Sequence, residues 1–360
     1  MSKQIGLDCI NVKKTPRPGH TDYSLEYRAE LMQQIVLEDM VRRGELAKDA
    51  GYDQLPPDVT RRFHDAWDFD FLWWTNDGYV NWAQNGRVTD MGHAVYAADG
   101  SDLWQPPNTS PFKHEEEVWA FDPLKEYGIT PFDELVAKYE QSFVDGTAAN
   151  PHQVCTGGYY RSIISGTIAS FGWEMLLAAA ADEKKFAKVL ERFAAYTKHH
   201  AEAWAKTSIE AYINHDDMVW SRGAFMSPEF YRKVIFPLFA DIWKPLKAAG
   251  KKILFCTDGN AMEFWEDLAA AGADGFIFEP MNDFERMVKT FGGTHCLIGS
   301  AIDCRTMTLK GWDEVRREID KTLELIHGVP GIITAVGNHI PPNVPEDICL
   351  KYMEYLRANW

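Results

Sequence analysis

The sequence predicts a TIM (β/α)8 barrel with an N-terminal helical extension, and three observations carry that expectation. From Ala211 to the C-terminus, short runs of β-branched and aromatic residues alternate with helical patterns, joined by short connections; strands linked in this way run parallel. Nearly every apolar run ends in polar residues able to do chemistry, as in barrels whose active sites sit on the loops that follow the strands. No Gly-x-Gly-x-x-Gly follows any run, which weighs against a doubly wound dinucleotide-binding sheet.

Residues 1–60 read as the extension: Leu25, Leu31, Ile35, Val36, Met40 and Leu46 recur mostly at three-to-four spacing, the period of one helix face. Residues 61–360 form a single barrel domain. Its first strand is predicted over 69–75, before the turn Asn76-Asp77-Gly78. Residues near 86–131, rich in Gly, Pro and Asp, read as an irregular insertion with short strands such as 93–96. A helix over 133–143 leads to a strand over 153–156 that Gly157-Gly158 is expected to break. Helices over 164–181 and 184–206 follow; His199 and His200 lie within the second and read as packing residues.

The alternation then becomes regular. A strand over 211–213 ends in Asn214-His215-Asp216-Asp217. Ser227-Pro228-Glu229 opens a helix, with Ser as N-cap and Pro in the first turn, and Pro237 and Pro245 predict a kink or break in it. The strand over 253–255 runs into Cys256-Thr257-Asp258-Gly259-Asn260. Strands over 275–278, 296–299 and 331–336 follow, each after a helix, with polar residues at or near their ends: Glu279, then Ser300 and Asp303, then Asn338 and His339. A last helix covers 345–357.

Composition narrows the function classes. A formal net charge of -16 offers no basic stripe for phosphate, so nucleic-acid binding is not expected. No apolar run reaches the roughly 18 residues of a membrane span, and residues 1–6 lack the apolar core of a secretory signal. Six cysteines without a CxxC pair predict reduced thiols in a cytoplasm rather than a disulfide scaffold or a closed zinc finger. The early cluster of tryptophans fits packing, and also an aromatic-lined pocket.

If the barrel forms, the polar strand ends meet on one rim. Cys, His and carboxylates together make a plausible transition-metal donor set, with zinc the usual ion for mixed N, S and O ligands. Any one of these residues alone reads as a loop or helix cap; Asp216 or Asp217 can be that. Cys296, at the start of its strand, belongs at the opposite end.

These residues also resemble a known family. Asp216-Asp217-Met218, the stretch from Met226 to Tyr231, Phe236-Pro237 and the turn Cys256-Thr257-Asp258-Gly259-Asn260 look like the uroporphyrinogen decarboxylase superfamily. Gly172-Trp173-Glu174-Met175, Ile298-Gly299 with Asp303, and Gly337 through Pro342 continue the likeness, which covers the chain well from about Gly157 onward. The resemblance implies a TIM barrel and one of two activities: decarboxylation of the acetate side chains of a porphyrinogen, or methyl transfer serving corrinoid proteins with zinc. The decarboxylases carry an N-terminal Arg-Gln-Ala-Gly-Arg motif that is missing here; Arg61-Arg62 is followed by Phe63-His64.

The methyltransferases place His-x-Cys where this chain has Cys256 and Asp258, and a second Cys where Asn338 stands beside His339. A related branch, with His-Ser-Asp-Gly-Asn at the turn and Glu at the place of Glu279, is closer; ether-cleaving enzymes that demethylate methoxylated aromatics belong to this wider group. What the resemblance implies is a zinc ion held by some of Cys256, Asp258, Glu279 and His339. Asp217, with Asp216 and His215, would orient substrate or supply a proton. Trp73, Trp74, Asp77, Asn260 and Asn338 would bind the substrate.

No Asp-x-His-x-x-Gly cobalamin motif is present, so the cobalamin that accepts the methyl group would ride on a separate corrinoid protein. The expected function is transfer of a methyl group from a small donor, an aromatic methyl ether, to that partner. A homodimer is compatible with the sequence. Two alternatives stay open: a decarboxylase of another carboxylated substrate, with Asp77 or Asp217 as acid-base, and a non-catalytic barrel that binds a tetrapyrrole or corrinoid partner.

Overall fold

The computed structural model describes residues 2–23, 28–91, 95–96, 102–103, 110–299, 302–337 and 339–360. Seven parallel strands form one sheet. They are β1 (Gly19–His20), β3 (Gly157–Tyr159), β4 (Ala211–His215), β5 (Lys252–Thr257), β6 (Gly275–Phe278), β7 (Cys296–Gly299) and β8 (Ile332–Thr334), in the order β1-β8-β7-β6-β5-β4-β3. The missing member is β2 (Phe71–Leu72). It pairs in parallel with Val154–Cys155, the lead-in to β3, and Asn76 N–H bonds Gly158 O. On its other side Asp70 N–H donates to His20 O and Thr21 Oγ1 donates to Phe71 O. β2 therefore lies between the two sheet edges and completes a ring of eight strands, the TIM barrel expected.

The N-terminal stretch does more than extend the barrel. Helix Ser2–Ile10 sends Cys9 and Ile10 into the barrel interior, against Phe71, Val154, Ala211, Leu254, Cys296 and Ile333. The Cys9 thiol reaches Ile332 O at the start of β8, so this helix plugs the end away from the carboxyl ends of the strands. The 1–60 stretch also supplies β1, whose two residues are too few for an alternation to register in the sequence. Helix Ala29–Arg42 packs with Val59–Ala66, Trp312–Ile326 and the C-terminal Glu346–Asn359 in a second core.

Pleat alternation sorts the strand side chains. Ala211 and Ile213 of β4, Leu254 and Cys256 of β5, and Cys296 and Ile298 of β7 face the interior. Tyr212, Ile253, Phe255 and Leu297 face outward and pack with Trp204, Phe239, Trp243 and Trp265 of the surrounding helices in the main core.

Three local expectations are corrected. Gly157-Gly158 does not end the third strand but carries it: a Cβ on Gly157 would lie 2.6 Å from the Trp204 ring, and one on Gly158 2.6 Å from Ile213 O, so the glycines permit close approach. The helix expected over 164–181 is two, Ile163–Phe171 and Trp173–Ala180, bent by 115° at Gly172, where φ is 72°. The break expected at Pro245 does not occur, since helix Phe236–Ala248 runs through it; the distortion expected at Pro237 takes the form of a wide π turn, Tyr231–Ile235, immediately before Phe236-Pro237. Pro237 has no N–H to return to the preceding turn, and the widened turn absorbs the loss.

Within the insertion, Val95–Tyr96 pairs antiparallel with Asp102–Leu103; His93 and Ala94 lie outside the described residues. All six cysteines are free. Among the described residues no single helix is long and apolar enough to cross a membrane.

Candidate active site

The alternation that builds the barrel interior continues past the strand ends and selects the site. Counting by twos from Ile213 gives His215 and Asp217; from Leu254 it gives Cys256 and Asp258; from Ile277 it gives Glu279; from Phe71 it gives Trp73. β4 and β5 are registered with His215 beside Cys256, so the two richest strand ends are neighbours.

There His215 Nε2 lies 3.0 Å from Asp217 Oδ1. Tyr160 O–H donates to Asp217 Oδ2 at 2.9 Å, and its ring packs 4.2 Å from that of His215. Asp258 N–H donates to Asp217 Oδ1 at 3.3 Å. One donor atom from each of His215, Asp217 and Asp258 falls within 4.8 Å of the others. Cys256 is the register partner of His215 on the neighbouring strand. Glu279 accepts from Gly259 N–H, and Asn282 holds the same turn through Gly259 O and Ala261 N–H.

Gly259 is required at that turn. Its φ is 84°, and a Cβ would lie 2.8 Å from the Val219 and Trp220 carbonyl oxygens.

The electrostatics follow from burial and proximity. Burial disfavours charge on His215, yet Cys256 and Asp217 outweigh it and raise its pKa well above the usual imidazole value. Burial also works against Asp217, but His215 and Tyr160 hold it below the ordinary carboxylate value. Asp258 is pushed up to about 7 by burial and by Asp217 and Glu279. Burial raises the Cys256 thiol to about 11 against the pull of His215. One imidazole and two carboxylates converging on a point, with a thiol alongside, fit a divalent transition ion held by three protein ligands with an open position.

The site opens into a cleft of about 50 Å³ whose walls include Tyr23, Trp73, Cys256, Asp258, Phe278 and Glu279. Trp73 lies between Tyr23 and His215, with ring centroids 4.2 and 5.4 Å away. Among the described residues, no Lys, Arg or His lines the cleft.

Of the four residues expected to hold metal, Asp258 sits in the tight donor cluster. Cys256 and Glu279 flank it through His215 and Gly259. His339 is half-buried, with its pKa lowered by burial, and is neither in the cluster nor on the cleft wall; it follows β8, three strands from β5. His215 and Asp217, expected as catalytic groups, supply the other two donors.

Asp216 is turned away. It follows outward-facing Asn214 by two, and its carboxylate accepts the N–H groups of Ile164 and Ser165 at the start of helix Ile163–Phe171, a capping role rather than a place in the site. Among the expected substrate contacts, Trp73 faces the cleft, whereas Trp74 faces solvent by the same alternation. Asp77 pairs with Arg161 at 3.3 Å, off the cleft wall. Asn260 accepts from Met262 N–H and donates its own N–H to Trp220 O, so it shapes the turn. Asn338 lies outside the described residues.

Tyr160 was not among the expected site residues. Counting by twos from Val154 reaches it, but only if the strand is carried through Gly157-Gly158.

One comparison bears on descent. A profile of the family described as uroporphyrinogen decarboxylase (URO-D) matches residues 166–358, more than half of the chain. Among curated proteins none matches the sequence significantly. Among solved structures, the chain is similar to a protein assigned as a vitamin-B12-independent methionine synthase from Listeria monocytogenes, at 13% identity and a TM-score of 0.48 over 96% of each chain. It is also similar to a xylose isomerase domain protein from Planctomyces limnophilus, at 12% identity and a TM-score of 0.38 over 68% of this chain and 91% of the other. A D-psicose 3-epimerase from Clostridium cellulolyticum H10 gives 12% identity and a TM-score of 0.32 over 68% and 89%. The profile match, on a barrel whose strand ends carry the candidate site, makes the chain a member of the uroporphyrinogen decarboxylase family.

Proposed function

We propose that this protein removes a methyl group from a small methylated substrate and passes it to the cobalamin of a separate corrinoid protein. The family holds both decarboxylases and methyltransferases, and one observation favours the second: the donor cluster of His215, Asp217 and Asp258 opens into a cleft with carboxylates on its wall and, among the described residues, no Lys or Arg in its lining. A polycarboxylate entering that cleft would be desolvated beside like charges without a counterion. The missing arginine motif of the decarboxylases points the same way.

Zinc is the ion that this donor set supports best, and when bound it would supply a Lewis acid for the departing atom of the donor. The other roles belong to the chain. His215, Asp217 and Asp258 hold the ion. Tyr160 occupies Oδ2 of Asp217 and so turns Oδ1, which lies beside His215 Nε2, toward the ion's place. Trp73 and Tyr23 present aromatic surface to the donor at the mouth. An aromatic methyl ether is the first donor to test: its phenolate, with a pKa of about 10 for the parent phenol, is a modest leaving group that needs such assistance.

The test is incubation of the purified, zinc-supplemented protein with a methoxylated phenol and cob(I)alamin, following methylcobalamin by its absorbance. Methylcobalamin formed with wild type and lost with Asp217→Asn supports the reading. None across a panel of neutral and cationic methyl donors removes it.

A further inference from the structure

We propose that the indole N–H of Trp73 is the hydrogen-bond donor that receives the ether oxygen of the methyl donor in the cleft. This rests on the methyl-transfer reading above. It names the side chain that selects a methyl group bound to oxygen over one bound to an atom without a lone pair.

Trp73 carries an N–H that nothing answers. Its Nε1 is shielded from solvent and, among the described residues, has no hydrogen-bond partner. Indole only donates, and a donor kept from water without an acceptor is a standing cost. The ring is held where it is, between Tyr23 and His215, at centroid distances of 4.2 and 5.4 Å. The backbone beside it is pinned as well: Thr156 Oγ1 accepts Trp74 N–H at 3.2 Å and donates to Trp74 O at 3.1 Å. Trp82 and Trp204 also have unmet indole N–H groups, but both are fully buried in the main core. Trp73 differs in lining the cleft.

The rest of the wall leaves this N–H as the donor for a ligand. The hydroxyls of Thr21 and Thr257 are committed, to Phe71 O and Asp258 O. The wall carboxylates offer oxygens, and Ile277, Ile298 and Val336 are apolar. Through His215, Trp73 also touches the donor cluster, so a ligand held by its N–H lies beside that cluster.

An ether oxygen has two lone pairs, so one can accept the indole N–H while the other remains for the ion. The methyl carbon takes the electron pair brought by the partner's cob(I)alamin, the carbon–oxygen bond breaks with its pair left on oxygen, and a phenolate departs. The indole proton stays on nitrogen throughout. Its hydrogen bond strengthens as the oxygen turns from neutral to anionic, so it favours the transition state over the bound ether. A quaternary ammonium or a hydrocarbon has no pair to offer and leaves the N–H unmet. A site built to hydrogen-bond its ligand discriminates against the analogue that cannot.

The test uses anisole and ethylbenzene, which differ by one oxygen in place of one methylene. Each is titrated into the full-length protein, isotope-labelled at its indole nitrogens, with and without added zinc. The Trp73 indole resonance is identified by its absence from the spectra of Trp73→Phe and Trp73→Tyr. Anisole is expected to move that resonance downfield, and ethylbenzene is not. The affinity ratio of anisole to ethylbenzene should fall about tenfold in Trp73→Phe, the worth of one bond to a buried donor; the lost ring area weakens both ligands and cancels in the ratio. Failure of anisole to bind, no downfield move at saturation, the same move with both ligands, or an unchanged ratio in the variants overturns the proposal. A downfield move with anisole, without methylcobalamin from any donor, upholds the N–H contact and removes the methyl-transfer reading. Methylcobalamin formed from an aryl ether, with the Trp73 resonance unmoved, does the reverse.

Discussion

Gly259→Ala probes the turn that carries Asp258 and the amide bound by Glu279. Two costs are built into it. At a φ of 84° an L-residue meets its own carbonyl, at about 1–2 kcal/mol. The new methyl would also sit 2.8 Å from the Val219 and Trp220 carbonyl oxygens, backbone atoms that cannot rotate away; overpacking of this kind costs about 1–3 kcal/mol. The sum is about 2–5 kcal/mol. At about 2.1 cal/mol/K of unfolding entropy per residue, a chain of 360 residues loses 1 kcal/mol for about 1.3 °C, so the melting temperature should fall by about 3–7 °C. Gly250→Ala is the internal control: its φ is 75° and nothing lies within 4 Å of the added Cβ, so only the first cost applies, at about 1–3 °C. The assay is calorimetric melting of both variants, with zinc affinity measured by chelator competition. Gly259→Ala should also weaken zinc binding, because relief of the collision moves Asp258 away from His215 and Asp217. Equal melting temperatures for the two variants, or unchanged zinc affinity in a destabilised Gly259→Ala, would refute the claim that the glycine positions the site.

The other expectations concern the donor cluster. Asp217→Asn should lower zinc affinity by more than about a hundredfold, whereas Tyr160→Phe, which removes only the bond that orients Asp217, should cost about 10–100-fold with little change in melting temperature; unchanged affinity in Tyr160→Phe would deny it a positioning role. Zinc affinity should also depend on pH. Asp258, raised to about 7, and His215, raised above its usual value, must both shed protons to bind the ion. Proton and metal compete for the same atoms, so affinity should fall by about tenfold per pH unit for each proton displaced as the pH drops below about 7. A flat profile across that range would contradict the ligand set.

Much of the fold could be read from the sequence because parallel strands buried on both faces leave continuous apolar runs, and the helices between them keep a strong period. β4 through β8 were visible in this way, as were the helices that follow them. The ring's first member was not. Gly19–His20 has no period of its own and is held by Ile333 and Thr334 beyond it, a tertiary fact. The break at Gly157-Gly158 failed for a related reason. Glycines usually interrupt strands, yet here the Trp204 ring and Ile213 leave room for nothing larger. That misreading concealed Tyr160, which comes next but one.

The site was legible as a set of strand ends but not as a constellation, because gathering every polar strand end onto one rim omits two geometric filters. The first is the pleat. Asp216 and Asp217 are chemically equivalent in the sequence, but one follows Asn214 outward to cap a helix and the other follows His215 inward to meet Asp258. The second is adjacency. Donors a few ångströms apart must come from neighbouring strands, and the register of His215 against Cys256 fixes β4 and β5 as that pair, whereas His339 follows β8. Inward parity and strand adjacency together retain His215, Asp217, Cys256 and Asp258 from the strand-end residues, and both can be applied to a sequence once its strands are bounded to within one residue. A one-residue error in β4 exchanges Asp216 for Asp217, so in this fold the accuracy of a site prediction is set by the accuracy of strand register.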